Sequence, residues 1–201
     1  MPPTSATATR IVEAARGRLL ADGFAALSTR RVADAAGVPL SQIHYHFGGR
    51  PGLVLAVLQQ ENQRLVDRQR EMYGADVPLW RRYEQACDLL EEDLASGYVR
   101  VLQEMVAAGW SDPAVAAEVH RLLGAWFDVL EEVATEAEAR FGPFEPLGAA
   151  DLAMLVGLAF LGGETVILLG DEGWGRRVRS ALRSLVGAIR EREEAASPAR
   201  D

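Results

Sequence analysis

The spacing of glycine and proline constrains this chain most. Gly23, Gly37, Gly48-Gly49, Ser96-Gly97, Gly109 to Pro113, Gly142 to Pro146 and Gly170 to Gly173 cut it into about nine pieces. Within each piece apolar residues recur three and four apart, the repeat of a helix with one buried face, and no alternating run is long enough to propose a sheet. An all-α fold is therefore expected. Ile11, Ala15 and Leu19 lie four apart in a first helix of about 7–22, which should stop at Gly23. A short second helix follows Ser28, with Ser28 or Thr29 as its cap and Val32 and Ala36 as its apolar stripe. A third starts near Pro39 with Ile43 and Phe47 inward, and a fourth runs from Arg50 to about Met72. After a loop at 73–78, helices are expected at about 78–95, 98–109, 113–141, 148–170 and 174–194.

Two of these helices joined through Ala35-Ala36-Gly37-Val38 make a helix-turn-helix. With Ile43 and Phe47 inward, the 100° advance per residue turns Leu40, Ser41, His44 and Tyr45 outward beside Gln42. Methyl groups, hydroxyls and an amide that can pair with adenine are what a major groove reads. Charge supports the same division. The whole chain is at −8, yet residues 1–55 hold six arginines against Glu13, Asp22 and Asp34, which is +3 and leaves −11 for the remainder. That asymmetry fits a small domain meeting a polyanion while the rest does something else.

Other chemistries find little support. Cys87 is a single cysteine with no internal disulfide partner, which suits a reducing cytosol, and its setting between Tyr83 and Leu90 reads as core rather than redox sensor. His44 and His46 point about 200° apart on a helix and cannot share a metal, and no third ligand accompanies them. His120 stands alone and is read as a polar-face histidine, with no nucleophile motif beside it. No catalytic residue, metal or cofactor is expected, and the chain is read as not an enzyme. The N-terminal MPPTSATATR lacks the apolar stretch of a signal peptide. Leu152 to Leu169 is apolar enough to suggest a membrane span. Glu164 within it and the missing basic flank favour instead a helix buried by protein on all sides, and no membrane partner is expected.

The run from Ile11 through Val57, above all TRRVADAAGVPLSQIHYHFGGRPGL, resembles the DNA-binding domain of the TetR family of bacterial regulators. The aromatic-His-Phe ending and the basic residue three positions after Phe47 make the likeness specific. The resemblance implies base contacts from Arg30, Leu40, Ser41, Gln42, His44 and Tyr45, and phosphate contacts from Thr29, His46 and Arg50. His44 departs from the tyrosine usual there, and Pro39 and Leu40 stand where small polar or basic residues are common, so the operator sequence does not carry over. It also implies domains at 1–55, for DNA, and 56–201, for an effector and dimerisation.

On that reading the second domain surrounds a cavity for a small apolar effector, with Trp80, Tyr83, Leu102, Met105, Trp126, Leu130, Phe160 and Glu164 as lining candidates. The same residues serve equally as helical core, and Glu164 equally as the partner of an arginine. Gly157, Gly162 and Gly163 are read as leaving room beside their helix. A homodimer on a near-palindromic double-stranded operator follows from the few bases one helix-turn-helix reads. Its seam is expected at Val178, Leu182, Leu185 and Ile189. A cytoplasmic repressor released by its effector is the expectation. An activator or effector-blind repressor of the same fold meets the same constraints, and an all-α small-molecule binder or enzyme is the rival that lacks a reaction centre.

Overall fold

Residues 5–196 are described by a computed structural model. Nine helices account for its regular structure among these residues: α1 (Ala6–Ala26), α2 (Thr29–Ala36), α3 (Leu40–Phe47), α4 (Arg50–Tyr73), α5 (Leu79–Ser96), α6 (Tyr98–Gly109), α7 (Pro113–Phe141), α8 (Ala149–Leu168) and α9 (Glu172–Ala196). The ends follow from local chemistry. Ser5 Oγ accepts from the Ala8 amide at 3.1 Å, Asp112 Oδ1 from Ala114 at 2.9 Å and Asp171 Oδ1 from Trp174 at 2.8 Å, so three N-termini are capped by short polar side chains. At α2 the cap is Ser28, whose hydroxyl accepts from Arg31 N at 3.4 Å. Gly37, with φ 63° and ψ 42°, ends α2 in the left-handed conformation and turns the chain toward α3. One end differs from expectation. Gly23 is non-helical at φ 81° and ψ 176°, but helix resumes beyond it to Ala26, so it kinks α1 instead of stopping it.

The chain divides into two compact units, residues Met1–Leu65 with Asp93–Leu122, and Val66–Glu92 with Leu123–Asp201; the divisions fall inside α4, α5 and α7. The first unit thus holds the expected residues 1–55 together with part of α4, the end of α5, α6 and the start of α7. In it α1 packs on α2, α3 and α6, and α2 packs on α3. Ile11, Leu19, Val32, Ile43, Leu53, Leu58, Val99 and Met105 are wholly enclosed, each contributing about 1.5–3 kcal/mol. This core fixes α3 by its inward Ile43 and leaves its other face free.

The kink at Gly23 is held from α6. Glu104 Oε2 accepts from Phe24 N at 2.7 Å, and Arg100 Nη2 donates to the carbonyls of Leu20 at 2.8 Å and Ala21 at 3.0 Å. Gly97 sits so close to α1 that a Cβ there would stand 2.0 Å from the Leu20 oxygen.

In the second unit α8 packs on α9. Gly157 and Gly163 allow this layer to close: a Cβ at Gly157 would meet Phe127 at 2.3 Å, and one at Gly163 would meet Val178 at 2.7 Å. The room expected beside these two glycines is taken by neighbouring side chains, and only Gly162 of the three faces open space. Glu193 accepts from the amides of Leu79 at 3.2 Å and Trp80 at 3.4 Å, so an acidic side chain of α9 closes the positive end of α5. Arg82 is buried, donating to Tyr73 O at 2.7 Å, Val77 O at 3.0 Å and Glu136 Oε2 at 2.9 Å.

The expectation that α8 is buried on all sides needs correcting. Ala153, Gly157, Phe160, Gly163 and Glu164 are buried, while Leu155 and Leu158 are each 52% exposed and Met154 is exposed beside them. Steps of three and four put the buried set on one side of the helix, and among the described residues the other side stays largely open.

Candidate functional site

The α2-turn-α3 segment displays a continuous outward face. Arg30, Leu40, Ser41, His44 and Tyr45 are exposed, Tyr45 at 81%, and Thr29, Gln42 and His46 are half-buried along its margin. The His46 ring stands edge-on to Tyr45 with centroids 4.9 Å apart. Short helices with a single enclosed residue, Ile43 in α3, leave most of their side chains to a partner.

Arg50 differs from the free phosphate ligand implied by the resemblance. Its Nη2 donates to Phe24 O at 2.7 Å and its guanidinium lies 4.1 Å over the Phe24 ring. The side chain therefore ties the start of α4 to the end of α1, and what the α4 N-terminus still offers an anion is its amides and dipole. Arg10 is spent similarly, donating to the carbonyls of Ala36 and Gly37 in the turn.

The second unit contains a cavity of about 650 Å³. Its wall is mostly aliphatic and aromatic, with one stripe of α7, Leu130, Val133, Ala134, Ala137 and Phe141, facing Leu152, Ala153 and Val156 of α8 and Leu185, Ala188 and Ile189 of α9. Of the sequence-predicted ligand residues it brings together Tyr83 and Leu130. The other six lie outside the lining. Leu102 and Met105 belong to the core of the first unit. Trp126 donates to Gln69 Oε1 at 3.0 Å, Phe160 meets the edge of Tyr83 at 6.1 Å, and Trp80 is covered by the guanidinium groups of Arg81 and Arg190 at 4.6 and 5.4 Å. Glu164 is buried and engaged in a polar interaction of its own, not turned to the cavity wall.

The expected dimer seam lies partly against its own chain. Val178 and Leu182 pack at Gly163, and Leu185 and Ile189 line the cavity. Leu182 alone of the four is buried, Val178 and Ile189 are half-buried, and Leu185 is exposed. Cys87 is enclosed, and burial pushes its thiol up to about 11, the behaviour of a core residue. His120 is exposed.

Residues 11–57 match the family model of bacterial regulatory proteins, tetR family. Its helix-turn-helix segment is of the TetR type. The HTH-type transcriptional regulator UidR of Escherichia coli K12 is 28% identical over 111 residues, which is 55% of this chain and 56% of UidR, so the match spans about half the length of this curated relative. The FadR transcriptional regulator of Bacillus subtilis, solved with stearoyl-CoA, superposes with a TM-score of 0.70 at 12% identity over 90% of this chain and 96% of its own. GusR of Salmonella enterica gives 0.66 at 18% identity, over 91% and 94%.

At such identities these structures speak for the fold, an N-terminal helix-turn-helix domain followed by a helical one. The TetR-family match contains all nine residues implied for DNA contact, Thr29 to Arg50. What sequence reasoning missed lies outside it: Tyr73, Val133, Phe141 and Leu152 in the cavity wall, and Glu104 and Arg100 against α1. The α7 stripe was visible as a three-four repeat beginning at Leu130. The α6 contacts had no local signal, since Glu104 and Phe24 are 80 residues apart.

Proposed function

We propose that this chain is a cytoplasmic repressor of the TetR family that binds a near-palindromic double-stranded operator as a homodimer and is released by a small apolar effector held in the cavity of its second unit. The observation that carries the DNA-binding part is the exposed face of α3, Leu40, Ser41, His44 and Tyr45, inside the segment that matches the family. Residues 1–55 act as the DNA-reading module. Base contacts come from Arg30, Leu40, Ser41, Gln42, His44 and Tyr45, and phosphates meet Thr29, His46 and the amide end of α4. Recognition is the protein's work, and no catalytic step or cofactor enters this reading.

The dimer reading draws on α8. This helix is long and apolar enough to cross a membrane by length and composition, but Glu164 is buried in it and one face is packed on α9. Its other face exposes Met154, Leu155 and Leu158, and α9 exposes Leu185; large apolar side chains left open in this way are what a two-fold interface covers. The effector reading draws on the cavity, whose volume is that of a site for a drug-sized molecule. FadR, of the same fold, accommodates stearoyl-CoA.

For the coupling, α4 is one unbroken helix from Arg50 to Tyr73, about 36 Å long at 1.5 Å per residue. Its first residue is tied to Phe24 and its last lines the cavity. An effector that favours the non-binding state by about 1–3 kcal/mol lowers operator affinity about 5- to 150-fold.

The test is selection of duplexes from a random pool by the full chain. Enrichment of a two-fold-symmetric sequence, bound with steep salt dependence, is the expected result; an unenriched pool rejects the reading. Tyr45→Ala and Gln42→Ala should change which sequences are enriched, each good base contact being worth about 1–3 kcal/mol of discrimination.

A further inference from the structure

The cavity wall contains two hydroxyls, and they are not equivalent. Tyr83 donates to Leu182 O at 3.1 Å and is spent on the fold. Tyr73 is 8% exposed, and its hydroxyl has no hydrogen-bond partner among the described residues. Nor is that oxygen among the polar atoms sealed within protein without a partner. It therefore keeps open space beside it, and the space that Tyr73 lines is the cavity.

An unpartnered hydroxyl at an apolar wall is unfavourable by about the value of a lost hydrogen bond, and a bound oxygen acceptor removes that cost. Burial pushes the Tyr73 hydroxyl well above its usual range, so it stays protonated and is a donor at every physiological pH.

The charged groups of the lining are of a different kind. Arg192 and Glu191 are exposed. The Arg192 guanidinium already donates to the carbonyls of Phe141, Gly142 and Pro143 at 3.5, 3.4 and 2.9 Å and lies 4.6 Å over the Phe144 ring. A formal charge carried into the apolar part of the cavity would find no buried counter-charge in its wall, a cost of several kcal/mol.

We propose that the cavity selects neutral, largely apolar molecules that present one oxygen acceptor, a ketone, ester or ether, to the hydroxyl of Tyr73. This rests on the reading of the cavity as the effector site. An apolar cavity of about 150 Å³ takes a benzene-sized guest, so this one has room for a molecule of roughly three or four such rings. Because Tyr73 is the last residue of α4, the same hydrogen bond places the ligand on the helix that begins at Arg50.

The test uses 6-propionyl-2-(dimethylamino)naphthalene, a neutral dye with one carbonyl whose emission reports its surroundings. Its 6-propyl twin lacks the carbonyl, and its 6-carboxylate analogue is charged. The full chain, Tyr73→Phe and Val156→Trp, which narrows the cavity, are titrated with each, and the twin is also used to displace the dye. Tyr73→Phe removes a hydroxyl that holds nothing in the fold, so the variant folds.

The expected result is that the twin displaces the dye and Val156→Trp weakens both. Tyr73→Phe should lower dye affinity about three- to tenfold, the value of a neutral hydrogen bond, and leave the twin unchanged. Equal dye affinity in the full chain and Tyr73→Phe, with binding still blocked by Val156→Trp or displaced by the twin, overturns the role of Tyr73 while the cavity reading survives. A carboxylate analogue binding as tightly as the ketone overturns the selection for neutral molecules. Failure of both dye and twin to bind removes the cavity reading itself, and the inference with it.

Discussion

Gly97→Ala tests how the kink of α1 is held. Gly97 has φ +85°, and an added Cβ would lie 2.0 Å from the Leu20 carbonyl oxygen. Two costs follow. Alanine in the left-handed region is disfavoured by about 1–2 kcal/mol. The contact must then open by more than an ångström to reach ordinary separation, against backbone that has no rotamer to turn away, which adds about 1–3 kcal/mol. The sum is about 2–5 kcal/mol. If α6 and α1 part to relieve the clash, the Arg100 bonds to Leu20 and Ala21 and the Glu104 bond to Phe24 lengthen as well, which argues for the upper half of that range. The assay is urea unfolding followed by helical circular dichroism, with Gly48→Ala as reference. Gly48 has φ +69° and nothing within 4 Å of its Cβ position, so its alanine variant carries the conformational cost alone. Equal destabilisation by the two variants would refute the close approach of α6 to α1.

Gly157→Ala should cost about 1–3 kcal/mol through the 2.3 Å contact with Phe127, and Phe127→Leu should recover part of it in a double-mutant cycle followed by thermal unfolding. Leu158→Glu, on the exposed face of α8, should give monomers by light scattering without lowering helix content, whereas a dimer that persists moves the interface elsewhere. Tyr73→Phe should leave the urea midpoint unchanged or raise it, by up to about 1 kcal/mol, because the hydroxyl it removes is unpaired; a clear loss would reveal a partner within the chain. Acid should weaken the fold through Glu118 and Glu136. Hydrogen bonding from Arg121 holds the Glu118 carboxyl below the usual range; burial pushes Glu136 up, but hydrogen bonds from Arg82 and Arg140 outweigh it and leave it low. A depressed folded value gives stability that is present above the unfolded value of about 4.3 and is lost as pH falls through the folded one. Urea midpoints should therefore fall as pH drops below about 5, and a flat profile down to pH 3 would contradict it.

Helices and turns were legible in the sequence because their causes are local. Ser28, Gly37, Gly48 and Asp112 act within a few residues of themselves, and the expected boundaries lie within about four residues of those found, the largest difference being the resumption of α1 past Gly23. The outward face of α3 was legible for the same reason, since Ile43 fixes which side of so short a helix is buried. Side-chain partners were not. Arg50 looked free at a helix N-terminus because nothing near it in sequence could bind it, and the group that does, Phe24, is 26 residues away.

The seam expected on α9 and the lining expected for the cavity meet one physical limit of the sequence. A helical repeat says that a face is covered and is silent on what covers it. On α9 the repeat of Val178, Leu182, Leu185 and Ile189 is real, but glycine at 163 lets α8 approach Val178 and Leu182 from within the chain, while Leu185 stays exposed. On α8 the reverse holds. It is apolar all round and so points in no direction, and only once α9 occupies one side do Leu155 and Leu158 emerge as a face of their own. The cavity follows from the same packing. Between α7, α8 and α9 the small residues Ala134, Ala137, Ala153 and Ala188 line a space that the larger side chains at Leu130, Phe141 and Ile189 wall without filling. The presence of a cavity is therefore set by which small residues meet across three helices, a relation among positions as distant in the chain as Ala134 and Ala188 that no single amphipathic pattern contains.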